Sequence, residues 1–377
     1  MADVTADGPS DRIAIDGATP TPTSAIKGRG AISNAESRFL PTRSIAVDDG
    51  WYLREDSATS APATQFYPDR TRTLITRNKS PDLSFEQSIN PYKGCEHGCV
   101  YCYARPTHAY LDLSPGLDFE TRIFFKTDTA EHLRKELGAA KYRCSVLAIG
   151  TNTDPYQPGE RRLNVMREIL GVLHEHKHPL SIVTKSALIL RDLELLRAMA
   201  ADNLVHVYVS ITTLDKQLKR QLEPRTADPG ARLRAVRELH AAGVPTGVMM
   251  APIIPFINDA EIEDVVARSV EHGARVVRYV LLRLPLEVRG LFEEWLQTHY
   301  PLRAQRVMAA VRATRGGRDY DAQWFKRMVG QGPVAQLIQQ RMSGALRRAG
   351  IVDAQMPVLR TDLFVPPREE TPQLSLF

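Results

Sequence analysis

Three cysteines, Cys95, Cys99 and Cys102, lie in the run Asn90-Pro91-Tyr92-Lys93-Gly94-Cys95-Glu96-His97-Gly98-Cys99-Val100-Tyr101-Cys102-Tyr103, and the 377-residue chain has only one other, Cys144. Three thiolates at Cys-x3-Cys-x2-Cys spacing can hold three corners of an iron–sulfur cubane, because soft sulfur suits iron and a short loop can wrap the group. A closed zinc site or a structural cluster takes four ligands, so a missing fourth leaves one metal open to a substrate or cofactor. The spacing therefore predicts an open iron and the chemistry that goes with it.

Two other uses of the thiols are weighed against this. A Cys3His zinc site would recruit His97 or His108. His97 lies inside the loop, where its backbone is already committed to wrapping the cysteines, so it is an awkward fourth ligand. A disulfide fits less well, since no signal peptide opens the chain, cysteine is scarce and three clustered thiols leave one unpaired.

Cys-x3-Cys-x-Tyr-Cys resembles the signature of the radical S-adenosylmethionine (radical SAM) superfamily. The resemblance implies a 4Fe-4S cluster on Cys95, Cys99 and Cys102, with S-adenosylmethionine chelated to the open iron. Reductive cleavage of that cofactor to a 5′-deoxyadenosyl radical is the implied reaction, with Tyr101 near the adenine.

A chain of this length, 43% hydrophobic, can bury one large core with extensions, and no apolar run is long enough to cross a bilayer. A cytoplasmic enzyme is expected. The net charge of +5 leans towards a polyanionic partner without proving one.

Residues 1–75 are rich in Ala, Thr, Ser, Pro, Asp and Arg without sustained periodicity, and read as a largely disordered basic and polar arm. Within it, Lys27-Gly28-Arg29-Gly30-Ala31 reads as a solvated tail, with a basic phosphate clamp as the other option. Residues 76–285 alternate strands with amphipathic helices. Strands are expected at Phe85–Asn90, Ser145–Gly150, Leu180–Thr184, Val205–Ile211, Thr246–Pro252 and Arg275–Leu282. Helices are expected near 101–111, 129–138, 162–176, 188–201, 228–242 and 259–272. Six such alternations mean parallel strands joined by right-handed crossovers, in a doubly wound sheet or a barrel. The resemblance selects a partial (β/α)6 barrel of TIM type, an α/β fold whose active site gathers at the carboxyl ends of the strands.

Residues 286–362 are expected as a helical, basic extension, with helices near 287–298, 302–314 and 333–349. They carry Arg303, Arg306, Arg312, Arg315, Arg318, Lys326, Arg327, Arg341, Arg347 and Arg348, with Tyr320, Trp324 and Phe325 interleaved. Such a face can hold phosphates and stack bases, or be a solvated cover over a core.

The strand ends supply the remaining candidates. Thr153 and Asp154, in the loop after the second strand, suit the hydroxyl and ammonium groups of S-adenosylmethionine. Lys185 ends the third strand and suits the cofactor carboxylate or a substrate phosphate. Ser210, at the end of the fourth, suits a ribose or the methionine carboxylate, and Arg225 offers a planar fork to a carboxylate or phosphate. Met250–Asp259 places apolar residues beside the adenine and Asn258 or Asp259 as a helix cap. The catalytic residue that meets the substrate has no sequence signal.

The order of these landmarks with Glu223-Pro224 and Ala251-Pro252-Ile253 is similar to the spore photoproduct lyase-like and DNA repair photolyase-like branch of the superfamily. In the spore photoproduct lyases a hydrogen-donor cysteine precedes the Asp of the second-strand motif by three residues. Here that position is Thr151, which cannot donate hydrogen as a thiol can, while Cys144 lies roughly 20 Å away at the far end of the strand. The lesion-splitting, lyase-like reaction is therefore doubtful, whereas the radical-generating half is retained.

Residues 363–377 read as a flexible tail ending Gln373-Leu374-Ser375-Leu376-Phe377, which resembles the bacterial sliding-clamp binding motif at every position. A tail folding back on the chain's own apolar surface is the alternative. Together these features predict a radical SAM enzyme acting on nucleic acid, recruited by the clamp and served by an electron donor. The rivals are a radical enzyme for a tRNA base, protein or small metabolite, and a non-catalytic, clamp-tethered iron–sulfur sensor.

Overall fold

The computed structural model describes residues 25–34, 37–39 and 62–367. In chain order the strands are β1 (Gln65–Asp69), β2 (Ile75–Arg77), β3 (Gln87–Ile89), β4 (Tyr92–Lys93), β5 (Arg122–Lys126), β6 (Leu147–Ile149), β7 (Leu180–Thr184), β8 (Val205–Ser210), β9 (Thr246–Ile253) and β10 (Val276–Leu281). The first helices are α1 (Asp118–Thr121), α2 (Thr129–Gly138), α3 (Glu160–Leu163), α4 (Val165–Glu175), α5 (Leu193–Ala201) and α6 (Lys216–Leu222). Then follow α7 (Pro229–Ala241), α8 (Ile262–Glu271), α9 (Val288–His299), α10 (Ala304–Ala313) and α11 (Gly332–Arg348).

A seven-stranded sheet runs β10-β9-β8-β7-β6-β3-β2. Its six strands from β3 to β10 are parallel, and only β2 is antiparallel. All six expected strands are present in this mixed α/β core, a partial barrel with a helical extension. Strand and helix signals alternate as they must in parallel units. Leu180, Ile182, Val205, Val207 and Val209 are fully buried, and so are Ile169, Leu170 and Leu173 on the inner face of α4. Two α-helix starts carry side-chain caps: Asp228 accepts from Gly230 N–H ahead of Pro229 in α7, and Asp215 accepts from Gln217 and Leu218 at α6.

Sequence periodicity missed a second, three-stranded sheet in the order β1-β5-β4. Its strands are two to five residues long, too short to show a period. The expected helix near 101–111 is a 3-10 segment from Arg105 to Leu111.

Lys27–Ala31 is a solvated tail only at Lys27 and Gly28, which are exposed. Arg29, Gly30, Ala31 and Ile32 are buried, because Gly30 and Ala31 donate their N–H groups to the Glu120 carboxylate at 3.0 and 2.8 Å. The disorder expected of residues 1–24 and 40–61, and the motif Gln373–Phe377, fall outside the described residues.

The parallel sheet does not close on itself, and the segment around Phe325–Met328 reaches both of its edges. Leu281 N–H on β10 donates to Met328 O at 2.8 Å. On the other side, Arg327 holds Asp82, in the β2–β3 connection, through Nε at 2.7 Å and Nη2 at 2.6 Å. Helices α9 and α10 build their own apolar core of Phe292, Trp295, Leu296 and Val307, which also takes in Val100 and Leu222. The helical extension thus buttresses the cysteine loop from the side.

Most of the extension's arginines are already neutralised. Arg312 pairs with Asp319 at 2.6 Å, Arg318 with Asp321 at 3.2 Å and Arg341 with Glu263 at 2.6 Å. Arg315 is buried and donates to the carbonyls of Leu281, Leu282, Lys326 and Arg327. What resembled a phosphate-binding face is, at these positions, a set of charges already engaged within the protein, with Arg315 inside it and Arg318 paired at its surface.

Candidate functional site

The cysteine loop runs from β4 to the 3-10 segment at Arg105, and backbone hydrogen bonds pin it from several sides. Cys95 N–H donates to Phe119 O at 2.8 Å and Val100 N–H to Leu222 O at 3.1 Å. Gln157 clamps the two peptide units that flank Cys95, accepting from Glu96 N–H at 2.8 Å and donating to Gly94 O at 3.3 Å. Gly94 and Gly98 have φ of +81° and +66°, conformations that side chains strain to adopt.

Behind the loop sits a buried pair, Arg105 and Glu120, both fully shielded from solvent. Arg105 Nε donates to Cys99 O at 2.9 Å and its Nη1 to Pro115 O and Gly116 O. Glu120 in turn holds the Gly30–Ala31 amides. Gly30 lies so close to the loop that a Cβ there would stand 1.7 Å from Gly98 O. The N-terminal strap and the cysteine loop are therefore locked backbone against backbone.

Cys95 and Cys99 are buried, Cys102 is half-buried, and all three are free thiols. Burial pushes the Cys95 thiol well up, and the nearby charges of Asp154, Cys99 and Cys102 push the same way. Burial also raises Cys99, with Glu223 adding to the rise and Lys185 opposing it. The three sulfurs thus feel one another across one loop, a donor set that fits a group with three thiolate corners. Among the described residues, no group of three or more His, Cys, Asp or Glu side chains is arranged to hold a single metal ion.

Next to the loop, the strand ends assemble a polar network. Lys185 Nζ donates to Ser210 Oγ at 2.7 Å and lies 5.9 Å from the Tyr101 ring centroid. Tyr101 donates its hydroxyl to Glu223, and Thr212 donates to the same carboxylate at 2.6 Å. Arg232, buried, completes the network by bonding Glu223 Oε2 and donating to Ser210 O at 2.9 Å. Burial works against the Glu223 carboxylate, but Arg232, Lys185 and the hydrogen bonds from Thr212 and Tyr101 together hold its pKa down to about 2. Glu223 therefore stays ionised in the core.

Asp154 accepts from Thr184 Oγ1 and Lys185 N–H, both at 2.7 Å, and lies 3.3 Å from His97 Nδ1. Burial would raise its pKa, but His97 and these hydrogen bonds bring the net shift below the ordinary value. Thr153 donates to Tyr92 O at 2.9 Å, so its hydroxyl is committed to the scaffold. Thr151 Oγ1 lies 3.4 Å from the Asn90 amide, at the carboxyl end of β6, whereas half-buried Cys144 precedes that strand.

Of the residues that the sequence singles out, the structure brings Tyr101, Lys185 and Ser210 together beside the cysteines, with Asp154 next to Lys185. Arg225 stands apart. It pairs with Glu96 at 3.0 Å and lines a separate cavity that Tyr101, Lys185 and Ser210 do not line. Sequence reasoning assigned no role to Glu223, Arg232, Arg105, Glu120 or Thr212. Glu223 had a signal in the Glu-Pro-Arg-Thr run. The buried arginines had none, because a charged residue on a helix reads as solvent-facing.

The Radical SAM superfamily model matches residues 89–268 of this chain. An uncharacterized protein of Mycobacterium tuberculosis strain H37Rv is 41% identical over 229 residues, which cover 59% of this chain and 67% of that protein. An uncharacterized protein of Methanocaldococcus jannaschii is 29% identical over 193 residues, covering 51% of this chain and 69% of its own. Among solved structures, a point mutant of spore photoproduct lyase superposes with a TM-score of 0.54 at 16% identity, over 76% of this chain and 79% of that one. Spore photoproduct lyase complexed with dinucleoside spore photoproduct gives a TM-score of 0.52 at 16% identity and the same coverage. At these identities the solved structures show a shared fold.

Proposed function

Because this chain belongs to the radical SAM superfamily, we propose that Cys95, Cys99 and Cys102 hold a 4Fe-4S cluster serving S-adenosylmethionine-dependent radical chemistry on nucleic acid. The observation that carries the reading is the loop of three free thiols, pinned by backbone hydrogen bonds to Phe119 and Leu222. When bound, the cluster supplies the electron that breaks an S–C bond of S-adenosylmethionine and so starts radical chemistry.

The chain's own residues bind and orient. The Lys185 ammonium and the Ser210 hydroxyl, 2.7 Å apart, offer two donors to the methionine carboxylate. Asp154 positions Lys185 by accepting its backbone N–H at 2.7 Å. Tyr101 is held by its hydroxyl on Glu223, which keeps its ring fixed against the cofactor side of the loop. Arg232 secures Glu223 from below, so that Lys185 is attracted without being fully neutralised; the Lys185–Glu223 separation is 4.0 Å. Burial of Cys95 and Cys99 keeps water from the reactive centre.

The nucleic-acid part is supported by the net charge of +5 and by the fold shared with spore photoproduct lyase. Clamp recruitment rests on the motif Gln373–Phe377. The direct test is anaerobic reconstitution with iron and sulfide, reduction with S-adenosylmethionine and quantification of 5′-deoxyadenosine. Product is expected from the native chain and not from the Cys95→Ala, Cys99→Ala, Cys102→Ala variant. A fully loaded cluster that yields no product would overturn the enzyme assignment.

A further inference from the structure

A cavity of about 790 Å³ opens beside the cysteine loop, on the side where Glu96 and His97 project. Five arginines line it: Arg161, Arg162, Arg191, Arg225 and Arg234. Against them stand two carboxylates, Glu96 and Asp228. Both are committed, Glu96 to Arg225 at 3.0 Å and Asp228 to capping α7 through Gly230 N–H at 3.0 Å. Arg191 is tied back to Glu160 and Asp192 at 2.7 and 2.8 Å.

Arg161, Arg162 and Arg234 have no ion pair with any described residue. Arg162 lies over the Phe66 ring at 5.2 Å, which leaves its guanidinium edge free to donate. Arg234 follows Ala231 by three residues on α7, and both line the cavity, so one face of that helix is presented to it. Of the lining arginines, Arg225 also shares the acceptor Thr64 Oγ1 with buried Arg29, at 3.2 Å each. Burial lowers the Arg29 pKa, and the positive charge of Arg225 lowers it further. Guanidinium groups gathered in a concavity, with their acids already spent, focus a positive field on whatever enters. Their planar forks match phosphate oxygens two at a time. The volume lies in the range of small-ligand sites and is larger than a single ion requires.

We propose that this cavity binds a nucleotide's phosphate, with Arg161, Arg162 and Arg234 as its principal donors, and so anchors a nucleic-acid strand beside the cysteine loop. The strand-anchoring half rests on the nucleic-acid reading above. It moves the backbone-binding role from the basic helical extension, where Arg312, Arg315, Arg318, Arg327 and Arg341 are engaged within the protein, to the rim of the core.

The test uses the full chain and two probes, inorganic pyrophosphate by calorimetry and a labelled single-stranded oligonucleotide by anisotropy across a salt series. Arg161→Ser with Arg234→Ser removes two exposed cavity cations, and Arg347→Ser with Arg348→Ser removes two exposed cations from α11 as the control. Far-UV circular dichroism compares the folds. Each lost charge-assisted contact is expected to cost about tenfold in affinity, so the cavity variant binds both probes roughly a hundredfold more weakly. Its oligonucleotide salt slope falls by about 1.4, and the control keeps both values. If the oligonucleotide is lost only by the control variant, the cavity proposal is overturned while the nucleic-acid reading stands. If pyrophosphate binds the native chain through the cavity but the oligonucleotide does not bind, the phosphate site stands and the nucleic-acid reading falls. If neither probe binds the native chain, both fall.

Discussion

Replacing Glu223 with Gln tests whether the buried network beside the cysteines is held by charge. Glu223 has no exposed side-chain surface, and Arg232, 1% exposed, bonds it from below. The substitution keeps the shape and one acceptor oxygen but leaves the Arg232 guanidinium buried without a counter-charge. Breaking such a pair costs about 3–5 kcal/mol. A second route to the magnitude uses the carboxyl itself, held from the ordinary 4.5 down to about 2. At 1.36 kcal/mol per pH unit this amounts to roughly 3 kcal/mol at neutral pH.

The sign follows from the depression. The stabilisation is fully present above the unfolded value near 4.5 and is lost as pH falls through about 2. Urea unfolding of the apo-protein measures both effects. The native chain should lose stability between about pH 4.5 and 2, and Glu223→Gln should be destabilised at pH 7 and lose this component of the acid sensitivity. A Glu223→Gln chain within about 1 kcal/mol of native at pH 7 would refute the argument, because an unpaired buried guanidinium is not that cheap.

Three further outcomes are expected. Gly30→Ala would place a Cβ 1.7 Å from Gly98 O, a clash with backbone that no rotamer relieves. It should cost about 1–3 kcal/mol and speed amide exchange across residues 94–102, and unchanged exchange there would mean that the strap does not lock the loop. Lys185→Met in the reconstituted protein should weaken S-adenosylmethionine binding by roughly ten- to a hundredfold in calorimetry, whereas equal affinity would remove Lys185 from the cofactor site. A peptide ending in Gln373–Phe377 should bind a bacterial sliding clamp, with binding abolished by Leu376→Ala and Phe377→Ala; equal binding by the substituted peptide would end that reading.

What the sequence determined by itself was local. The six parallel strands and most helices were legible because their apolar periods repeat within a few residues, and β7 and α2 were expected with the bounds they have in the structure. The three cysteines were legible for the same reason, since their spacing is the signal. Lys185 and Ser210 could be named because each ends a strand, and the parallel order places strand ends together.

Tertiary structure decided which charges are scaffolding and which are free. Tyr101 meets Glu223 across 122 residues, and Gly30 meets Glu120 across 90. No spacing rule connects residues so far apart. Composition counted Arg315 and Arg327 as surface charge, yet one is buried among carbonyls and the other ties Asp82 at the opposite edge of the sheet. Conversely, the arginine cavity exists only because three segments far apart in sequence, 156–162, 186–191 and 225–234, converge beside the cysteine loop. A charge is defined by its neighbours, and the fold alone chooses neighbours that lie far apart along the chain.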